Sequence, residues 1–338
     1  MLEHGGKLIQ AARRYSIPLA AWLDLSTGLN PRGWPVGSIP AAIWARLPEE
    51  DDGLIPAARN YYGGEPLLAV AGSQAAIQAL PRLRDPSSRI AILHPAYAEH
   101  AHAWRSTGFH VTPLSAADVD EAVDEHDVIL LVNPNNPTGA RFSTAQCLRW
   151  HQQLRQRGGW LIVDEAFMDA TPNNSLVPHA SQAGLIVLRS LGKFFGLAGI
   201  RVGFVFAEPT LLSRLAERLG PWPVSGPSRH IAKRALQDIV WQTDTRQRLT
   251  HQGQRLHCLL SDYGLPADGG TLLFQWIKTP DAPAIHERLA RQAILTRRFE
   301  NPASLRFGLP ADEAQWARLE QALVTLNLHG HAAGGARQ

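Results

Sequence analysis

The sequence predicts an α/β protein with two domains: a large one whose mainly parallel sheet is sandwiched by helices, and a smaller α+β one. The chain has 338 residues, 45% of them hydrophobic, which is long for a single domain. Between residues 67 and 208, short apolar runs alternate with helical stretches, as in a sheet covered by helices on both faces. After about residue 210, long helical stretches precede a few strand-like runs.

In the large domain, each apolar run leads into a helical or turn segment. In chain order, the runs are LLAVAG before SQAAIQALPRL, RIAIL before HPAYAEHAHAW, DVILLVN before PNNPTG and TAQCLRWHQQLRQR, then WLIVDEAF, LIVLRSLGKFFG and RVGFVFA. Ligands of such sheets bind beyond the carboxyl ends of the strands. The polar residues that follow each run are therefore the candidates for a functional site.

The smaller domain begins with the helical stretches LLSRLAERL and HIAKRALQDIVWQTDTRQRLTHQGQRLHCLLSDY. A strand-like GTLLFQWIK, a helix around HERLARQA, and the strands ILTRRF and SLRFGL follow. The predicted division is an N-terminal arm that packs on the small domain (1–28), a large domain (29–210), a small domain (211–328) and a flexible Gly/Ala-rich tail (329–338).

Charge and cysteine content argue against several classes of protein. The net charge is only +3 and no run of five or more Lys/Arg occurs, so neither nucleic acid nor a membrane surface is expected as a partner. No stretch approaches the ~20 apolar residues that span a bilayer, and the N-terminus has no apolar core of a secretory signal. Cys147 and Cys258 form no CxxC motif, which predicts reduced thiols in the cytoplasm. No metal site is predicted.

Lys193 is the candidate nucleophile, in the stretch SLGKFFGLAGIRVGF that follows an apolar strand. Its neighbours Phe194, Phe195 and Leu197 are apolar. An apolar surrounding disfavours the ammonium form, so the amine becomes able to attack an aldehyde. A lone lysine in a solvated loop is the alternative interpretation.

Several residues have the chemistry of an anion site. Arg201 lies eight residues after Lys193, and its guanidinium can bind a phosphate with two hydrogen bonds, to which Ser190 can add a hydroxyl donor. The stretch AGSQAAI places the backbone N–H groups of Ser73 and Gln74 at a helix start, where anions bind. A surface ion pair, a strand-end cap and a helix cap are the respective alternatives.

Three further polar or aromatic residues follow predicted strands. Asp164 ends WLIV, where a carboxylate can keep a pyridine nitrogen protonated, although a helix N-cap is equally compatible. Asn136, in the tight turn NPNNPTG, could hold a phenolic oxygen; a plain turn is the alternative. Tyr97 could stack on a planar ring or be a core tyrosine.

Together, the order and spacing of these motifs resemble the fold-type-I pyridoxal-5′-phosphate (PLP) enzymes, the aspartate-aminotransferase superfamily, over nearly the whole chain. The resemblance implies PLP as cofactor and a two-fold homodimer. It also implies roles for individual residues: Gly72, Ser73 and Gln74 in the phosphate loop, Tyr97 stacked on the ring, Asn136 at the phenolic oxygen, Asp164 at the ring nitrogen, Ser190 and Arg201 at the phosphate, Lys193 as the covalent anchor, and Arg306 at the substrate carboxylate.

Two positions depart from the pattern of this superfamily. Phe167 stands where many relatives have a tyrosine that also contacts the phenolic oxygen, so Asn136 would act there alone. Leu47 stands where histidinol-phosphate aminotransferases have a tyrosine that reaches the phosphate of the neighbouring subunit's cofactor. Tyr61 or Tyr62 could compensate.

The segments HGGK (4–7) and LDLSTGLNP (23–31) resemble the branch of the superfamily that acts in cobalamin biosynthesis, the L-threonine-O-3-phosphate decarboxylases. This resemblance implies a phosphorylated amino acid as substrate. The candidate ligands for its two anionic ends are His4, Lys7, Arg297 and Arg306, with Arg306 assigned to the carboxylate and Arg297 and His4 to the phosphate. Asn30 and Asn136 are further candidates for substrate binding.

Two alternatives stay open. A histidinol-phosphate aminotransferase shares the scaffold, but Leu47, Phe167 and the HGG segment argue against it. A PLP-binding regulator of this fold would have a DNA-binding domain in front, and no basic helix-turn-helix pattern precedes the scaffold.

Overall fold

The computed structural model describes residues 5–326, within which twelve α-helices and thirteen strands follow one another. The helices are α1 (Leu8–Tyr15), α2 (Ala41–Ala45), α3 (Leu54–Tyr62), α4 (Ser73–Ala79), α5 (Ala98–Ser106), α6 (Val119–Glu125), α7 (Thr144–Gln156), α8 (Pro209–Leu219), α9 (Gly226–Gln237), α10 (Ile239–Asp262), α11 (Ala282–Ala290) and α12 (Glu313–Leu326). The strands are β1 (Leu23–Asp24), β2 (Leu67–Val70), β3 (Ile90–Leu93), β4 (Val111–Leu114), β5 (Val128–Val132), β6 (Trp160–Asp164), β7 (Leu185–Ser190), β8 (Gly203–Phe206), β9 (Gly269–Thr271), β10 (Phe274–Lys278), β11 (Ile294–Leu295), β12 (Arg297–Phe299) and β13 (Ser304–Gly308). His4 and the predicted tail, 329–338, lie outside the described residues.

The described chain divides into two compact units. The small unit comprises residues 5–32, 137–139 and 246–326, and the large unit comprises residues 33–136 and 140–245. The division therefore falls within α10, whereas the domain boundary predicted from the sequence lies between residues 210 and 211. No helix among the described residues is long and apolar enough to cross a bilayer.

Helix α8 shows why the chain just after residue 210 belongs to the large unit. Its apolar face buries Leu211, Leu212 and Leu215 in one cluster with Ile77 of α4 and the following Leu80. Burying a leucine side chain contributes about 1.5–3 kcal/mol. The helix is thus part of the layer that covers the large sheet.

The sheet of the large unit has seven strands in the order β2-β8-β7-β6-β5-β3-β4. All adjacent strands are parallel except that β8 runs antiparallel to both β2 and β7, which confirms a mainly parallel sheet. Every residue of β5 and β6 is buried, as continuous apolar runs predict. Their register pairs Val132 with Asp164, so the chain segments beyond these strands leave the same edge of the sheet.

The small unit contains a four-stranded antiparallel sheet, β12-β13-β10-β9, and a parallel pair, β1-β11. The segment after β1 crosses between two glycines. A Cβ atom on Gly5 would lie 2.3 Å from the carbonyl oxygen of Ser26, and one on Gly308 would lie 2.3 Å from that of Thr27. The N–H of Gly6 donates to Ser26 Oγ at 2.8 Å. Gly5 and Gly6 are therefore packing partners of the LDLS segment within this unit.

The long helical stretch predicted after residue 229 is in fact two helices, α9 and α10, separated at Asp238. Asp238 leaves the helical conformation (φ −86°, ψ 76°), and its Oδ1 accepts a hydrogen bond from the N–H of Trp241 at 3.0 Å. A side chain that caps the following turn offers the backbone an alternative to continuing the helix.

Candidate active site

Asp164, at the carboxyl end of β6, is held in place by two hydrogen bonds. Its Oδ2 lies 2.8 Å from Nε2 of His100, and its Oδ1 accepts from the N–H of Ala166 at 3.0 Å. Asp164 and His100 are 3% and 1% exposed. A buried, oriented carboxylate of this kind suits a protonated pyridine nitrogen, because it favours the charged ring. His100 was not among the predicted site residues, although it lies in the stretch HPAYAEH that supplied Tyr97.

Lys193 lies in a tight turn that follows β7. The N–H of Gly196 donates to the carbonyl of Lys193 at 3.2 Å, and Phe194 and Phe195 are fully buried. The Nζ atom of Lys193 lies 5.5 Å from the centre of the Phe167 ring. Lys193 is half-buried, and the ring of Phe167 lies near its amine. Apolar surroundings of this kind disfavour the ammonium form.

A cradle of hydrogen-bond donors is formed where α4, β7 and β8 meet. Gly72 has φ +70°, and a Cβ atom there would lie 2.8 Å from Nη2 of Arg201. A Cβ atom on Gly203 would lie 2.6 Å from the backbone nitrogen of Ser73, and Gly203 pairs with Ser190 across β7 and β8. A guanidinium, a hydroxyl and the first backbone amides of a helix therefore gather at one place, and these are the donors that a phosphate needs.

The side chain of Gln74 orients Tyr97. Gln74 Nε2 donates to Glu99 at 2.8 Å, which leaves Oε1 to accept from the hydroxyl of Tyr97 at 3.2 Å. Burial, reinforced by the charge of Glu99, raises the pKa of Tyr97 to about 12. Because Glu99 and Tyr97 engage the amide side chain of Gln74, its backbone N–H is the group that stays a candidate for the phosphate.

Two buried asparagines shape the turn that presents Asn136. The amide group of Asn133 donates to the carbonyl of Phe142 at 2.9 Å and accepts from its N–H at 3.1 Å. Asn135 Nδ2 donates to the carbonyl of Pro95 at 2.9 Å. The NPNNPTG motif is therefore a turn fixed by its own side chains, and Asn136 follows directly.

In the small unit, Arg297 and Arg306 are directly opposite each other across β12 and β13, so both side chains lie on the same face of the sheet. Arg306 is 6% exposed, donates to the carbonyl of Ser26 at 2.8 Å, and lies 5.0 Å from the centre of the Phe274 ring. Burial and the like charge of Arg297 lower the pKa of Arg306 to about 9. It is still a cation at neutral pH, and an anionic ligand would relieve the repulsion.

A cleft of about 190 Å³ lies in the same unit, and the charged residues that line it are mainly basic. Its lining includes Lys7, Arg14, His286, Arg297 and Arg298, with Glu287 as the acidic member. Burial and the charge of Arg298 lower the pKa of His286, which favours its neutral form. The cleft therefore suits an anion and contains two candidates from the sequence.

Asn30 is also in the small unit and is 3% exposed. Its Oδ1 accepts from the N–H of Arg32 at 3.0 Å and lies 3.5 Å from Nη1 of Arg248. Arg248 was not predicted from the sequence.

The candidate residues fall into two sets. The set in the large unit is Gly72, Ser73, Gln74, Tyr97, Asn136, Asp164, Ser190, Lys193 and Arg201, and the set in the small unit is Lys7, Asn30, Arg297 and Arg306.

The chain is similar to several known proteins over most of its length. The model of the family described as aminotransferase class I and II matches residues 59–323. The chain is 57% identical to a protein of Pseudomonas aeruginosa named threonine-phosphate decarboxylase, and the alignment covers 98% of this chain and 100% of that protein. A protein of Sinorhizobium sp with the same name is 42% identical, over 97% of this chain and 99% of its own length.

Solved structures show the same fold. The histidinol-phosphate aminotransferase of Sinorhizobium meliloti, in complex with pyridoxal-5′-phosphate, has a TM-score of 0.79 at 19% identity and covers 96% of this chain and 99% of its own. The L-threonine-O-3-phosphate decarboxylase of Porphyromonas gingivalis has a TM-score of 0.76 at 21% identity, covering 89% of this chain and 98% of its own.

Proposed function

Because this chain belongs to the class I and II aminotransferase family, we propose that it decarboxylates L-threonine O-3-phosphate with PLP as its cofactor. The products are CO₂ and (R)-1-amino-2-propanol O-2-phosphate, a precursor in cobalamin biosynthesis. The observation that supports this substrate most directly is the full-length identity of 57% to the Pseudomonas protein.

The cofactor is assigned to the large unit, whose residues match its functional groups. Gly72, Ser73, Gln74, Ser190 and Arg201 would hold the phosphate, and Lys193 would bind the cofactor covalently. Tyr97 would pack on the ring and Asn136 would bind the phenolic oxygen. Asp164, held by His100, would keep the ring nitrogen protonated. When bound, the cofactor supplies a ring that accepts the electron pair left at Cα.

The substrate's two anionic ends are assigned to the small unit. Arg306 would bind the carboxylate, and Arg297 would bind the phosphate with Lys7 beside it in the basic cleft. His4 remains a candidate for the phosphate from the sequence alone. Two cations in fixed register orient the substrate, and orientation decides which bond at Cα breaks. The reaction balances when the carboxylate leaves as CO₂ and Cα takes up a proton.

Product analysis tests this function. The purified enzyme with PLP and L-threonine O-3-phosphate is expected to release CO₂ and form aminopropanol phosphate when no keto acid is added as a co-substrate. Lys193→Ala, treated identically, is the control and is expected to form neither product. Amino transfer that requires a keto acid, without CO₂, would instead support the histidinol-phosphate-type aminotransferase.

We also propose a cytoplasmic homodimer. Trp44, Leu47 and Trp222 are 66%, 64% and 57% exposed in the large unit, and large apolar side chains in such positions favour burial against a second copy. Both cysteines are free thiols, as in a reducing compartment. Of the two tyrosines that could replace the hydroxyl missing at Leu47, Tyr62 is buried against Phe204 and Phe206, so Tyr61 is the better candidate.

A further inference from the structure

The turn that contains Lys193 is held by two tryptophans from distant parts of the large unit. The carbonyl of Phe195 accepts a hydrogen bond from the N–H of Trp34 at 2.8 Å. The Phe195 ring stacks on Trp241, with centroids 5.6 Å apart and an angle of 14° between the planes, and Phe194 meets the same indole edge-on at 5.5 Å. The turn is therefore restrained through its backbone and through both phenyl rings.

One carboxylate connects these two tryptophans. Asp238 Oδ2 accepts from Nε1 of Trp34 at 3.0 Å, and Oδ1 accepts from the N–H of Trp241 at 3.0 Å. Both partners are donors, so each requires an oxygen, and only a carboxylate offers one to each. Asp238 thus links the segment around Trp34, the start of α10 and, through them, the Lys193 turn.

This arrangement exceeds what a helix cap needs. Capping α10 uses one oxygen of Asp238, whereas the other oxygen reaches Trp34, which is 204 residues away in sequence. Trp34 is 6% exposed, and a Cβ atom on the preceding Gly33 would lie 3.0 Å from the carbonyl oxygen of Phe195. The segment at Gly33 and Trp34 therefore lies directly on the turn.

We propose that Asp238 is a positioning residue, which through Trp34 and Trp241 holds the Lys193 turn where the lysine amine can react with the cofactor aldehyde. The inference rests on the proposed function, in which Lys193 binds PLP. Its physical basis is that a displacement of about 1 Å at a reacting group can cost about a hundredfold in rate. Burial of the turn alone does not fix the position of the amine.

The test is the rate at which the full-length chain, freed of cofactor, captures added PLP. The visible absorbance of the bound cofactor follows the reaction, and borohydride trapping with peptide mapping locates the linkage. Asp238→Ala is expected to capture PLP at least about tenfold more slowly. Asp238→Asn can satisfy only one of the two donors and is expected to be intermediate.

Gln242→Ala is the matched control, because the Gln242 side chain donates to the carbonyls of Ala235 and Leu236 at the same joint between α9 and α10. It is expected to lower the melting temperature comparably and to capture PLP at the parent rate. Trp34→Phe removes the indole N–H but keeps the backbone bond to Phe195, so it should resemble Asp238→Asn. It also keeps the test available if Asp238→Ala does not fold.

Equal capture rates in the Asp238 and Gln242 variants, at equal loss of melting temperature, would overturn the proposal and leave Asp238 a structural cap. A parent rate in both Asp238→Asn and Trp34→Phe would overturn it as well. Lys193→Ala separates this inference from the proposed function. If that variant gave the same trapped peptide as the parent, the anchor would be a different lysine and the assignment of Lys193 would be wrong, whatever the Asp238 variants do.

Discussion

Asp164 is a residue whose replacement should affect chemistry without affecting the fold. In Asp164→Asn, the amide can still hydrogen-bond to its neighbours but has no charge to keep the ring nitrogen protonated, so kcat is expected to fall by several orders of magnitude. Steady-state kinetics and the melting temperature measure the two effects separately. Turnover within about threefold of the parent would contradict the assigned role.

Gly203 shows how the cradle depends on the absence of a side chain. A Cβ atom there would lie 2.6 Å from the Ser73 nitrogen and 2.7 Å from the Arg189 carbonyl oxygen, both backbone atoms. Gly203→Ala is therefore expected to lower the free energy of unfolding by about 1–3 kcal/mol and to weaken PLP binding. Denaturant unfolding and cofactor titration measure these effects.

Gly199→Ala is the control for this prediction, because a Cβ atom on Gly199 would meet no atom within 4 Å. It should leave both quantities near those of the parent. Equal effects in the two variants would mean that close packing at Gly203 is not what matters.

At the residue scale, the sequence points to candidate groups that follow strands but not to the groups that support them. Lys193 could be proposed because its apolar neighbours adjoin it in the chain. His100 was missed because its contact with Asp164 joins residues 64 positions apart. Arg189 was missed because it lies inside an apolar strand, yet it is buried and pairs with Glu165 at 2.6 Å.

The cross-strand pair on β12 and β13 has a cost in the protein without substrate. Arg297 and Arg306 are like charges directly opposite, an arrangement that destabilises a sheet. Arg297→Gln is expected to raise the free energy of unfolding by about 0.5 kcal/mol, a value discounted for the partial exposure of Arg297, and to raise KM for threonine phosphate. Lower stability together with unchanged KM would contradict this assignment.

The same pair gives a pH dependence with a defined sign. Burial and Arg297 lower the pKa of Arg306 to about 9, so the native protein loses this proton before the unfolded chain does as the pH rises. Affinity for an anionic substrate should therefore fall as the pH rises through about 9. In Arg297→Gln the like charge is gone, the pKa of Arg306 rises, and the decline should move to higher pH. The profile of kcat/KM against pH checks this.

At the scale of elements, hydrophobic pattern predicted the strands better than their direction or limits. An apolar run such as that of β8 is the same in either direction, so its antiparallel course could not be read from it. The break between α9 and α10 at Asp238 has no proline or glycine beside it to predict it. The Asp238 carboxylate that lies at the break accepts a hydrogen bond from Trp34, far away in the sequence. Long-range bonds of this kind leave no local signal.

For the whole molecule, the proposed homodimer would have a direct consequence for activity. If the interface helps to build the site, activity per chain should fall on dilution below the dimer dissociation constant, and PLP should protect against the loss. Sedimentation at working concentration gives the assembly state. Leu47→Asp, at an exposed apolar position, is expected to shift the protein toward monomer. A fully active monomer would refute the shared site.

The division of the chain was the part of the architecture least accessible to prediction. The sequence places a change of pattern near residue 210, and the pattern does change there. The boundary between the two compact units, however, depends on which side chains pack together. Leu211, Leu212 and Leu215 are buried in the core of the large unit, and no periodicity states against which layer a helical face will pack.

The parallel pairing of β1 with β11 has a consequence for biosynthesis. Leu23 and Asp24 pair with Ile294 and Leu295, so the first strand emerges from the ribosome about 270 residues before its partner. At about 5–20 residues per second, this delay is on the order of tens of seconds. During that time the large unit can fold while the LDLS segment stays unpaired. Its partner strand and Gly308, the second of the glycines that enclose it, have not yet been synthesised. In a nascent chain arrested before residue 290, the large unit should therefore resist protease, whereas the N-terminal segment that contains β1 should be cleaved.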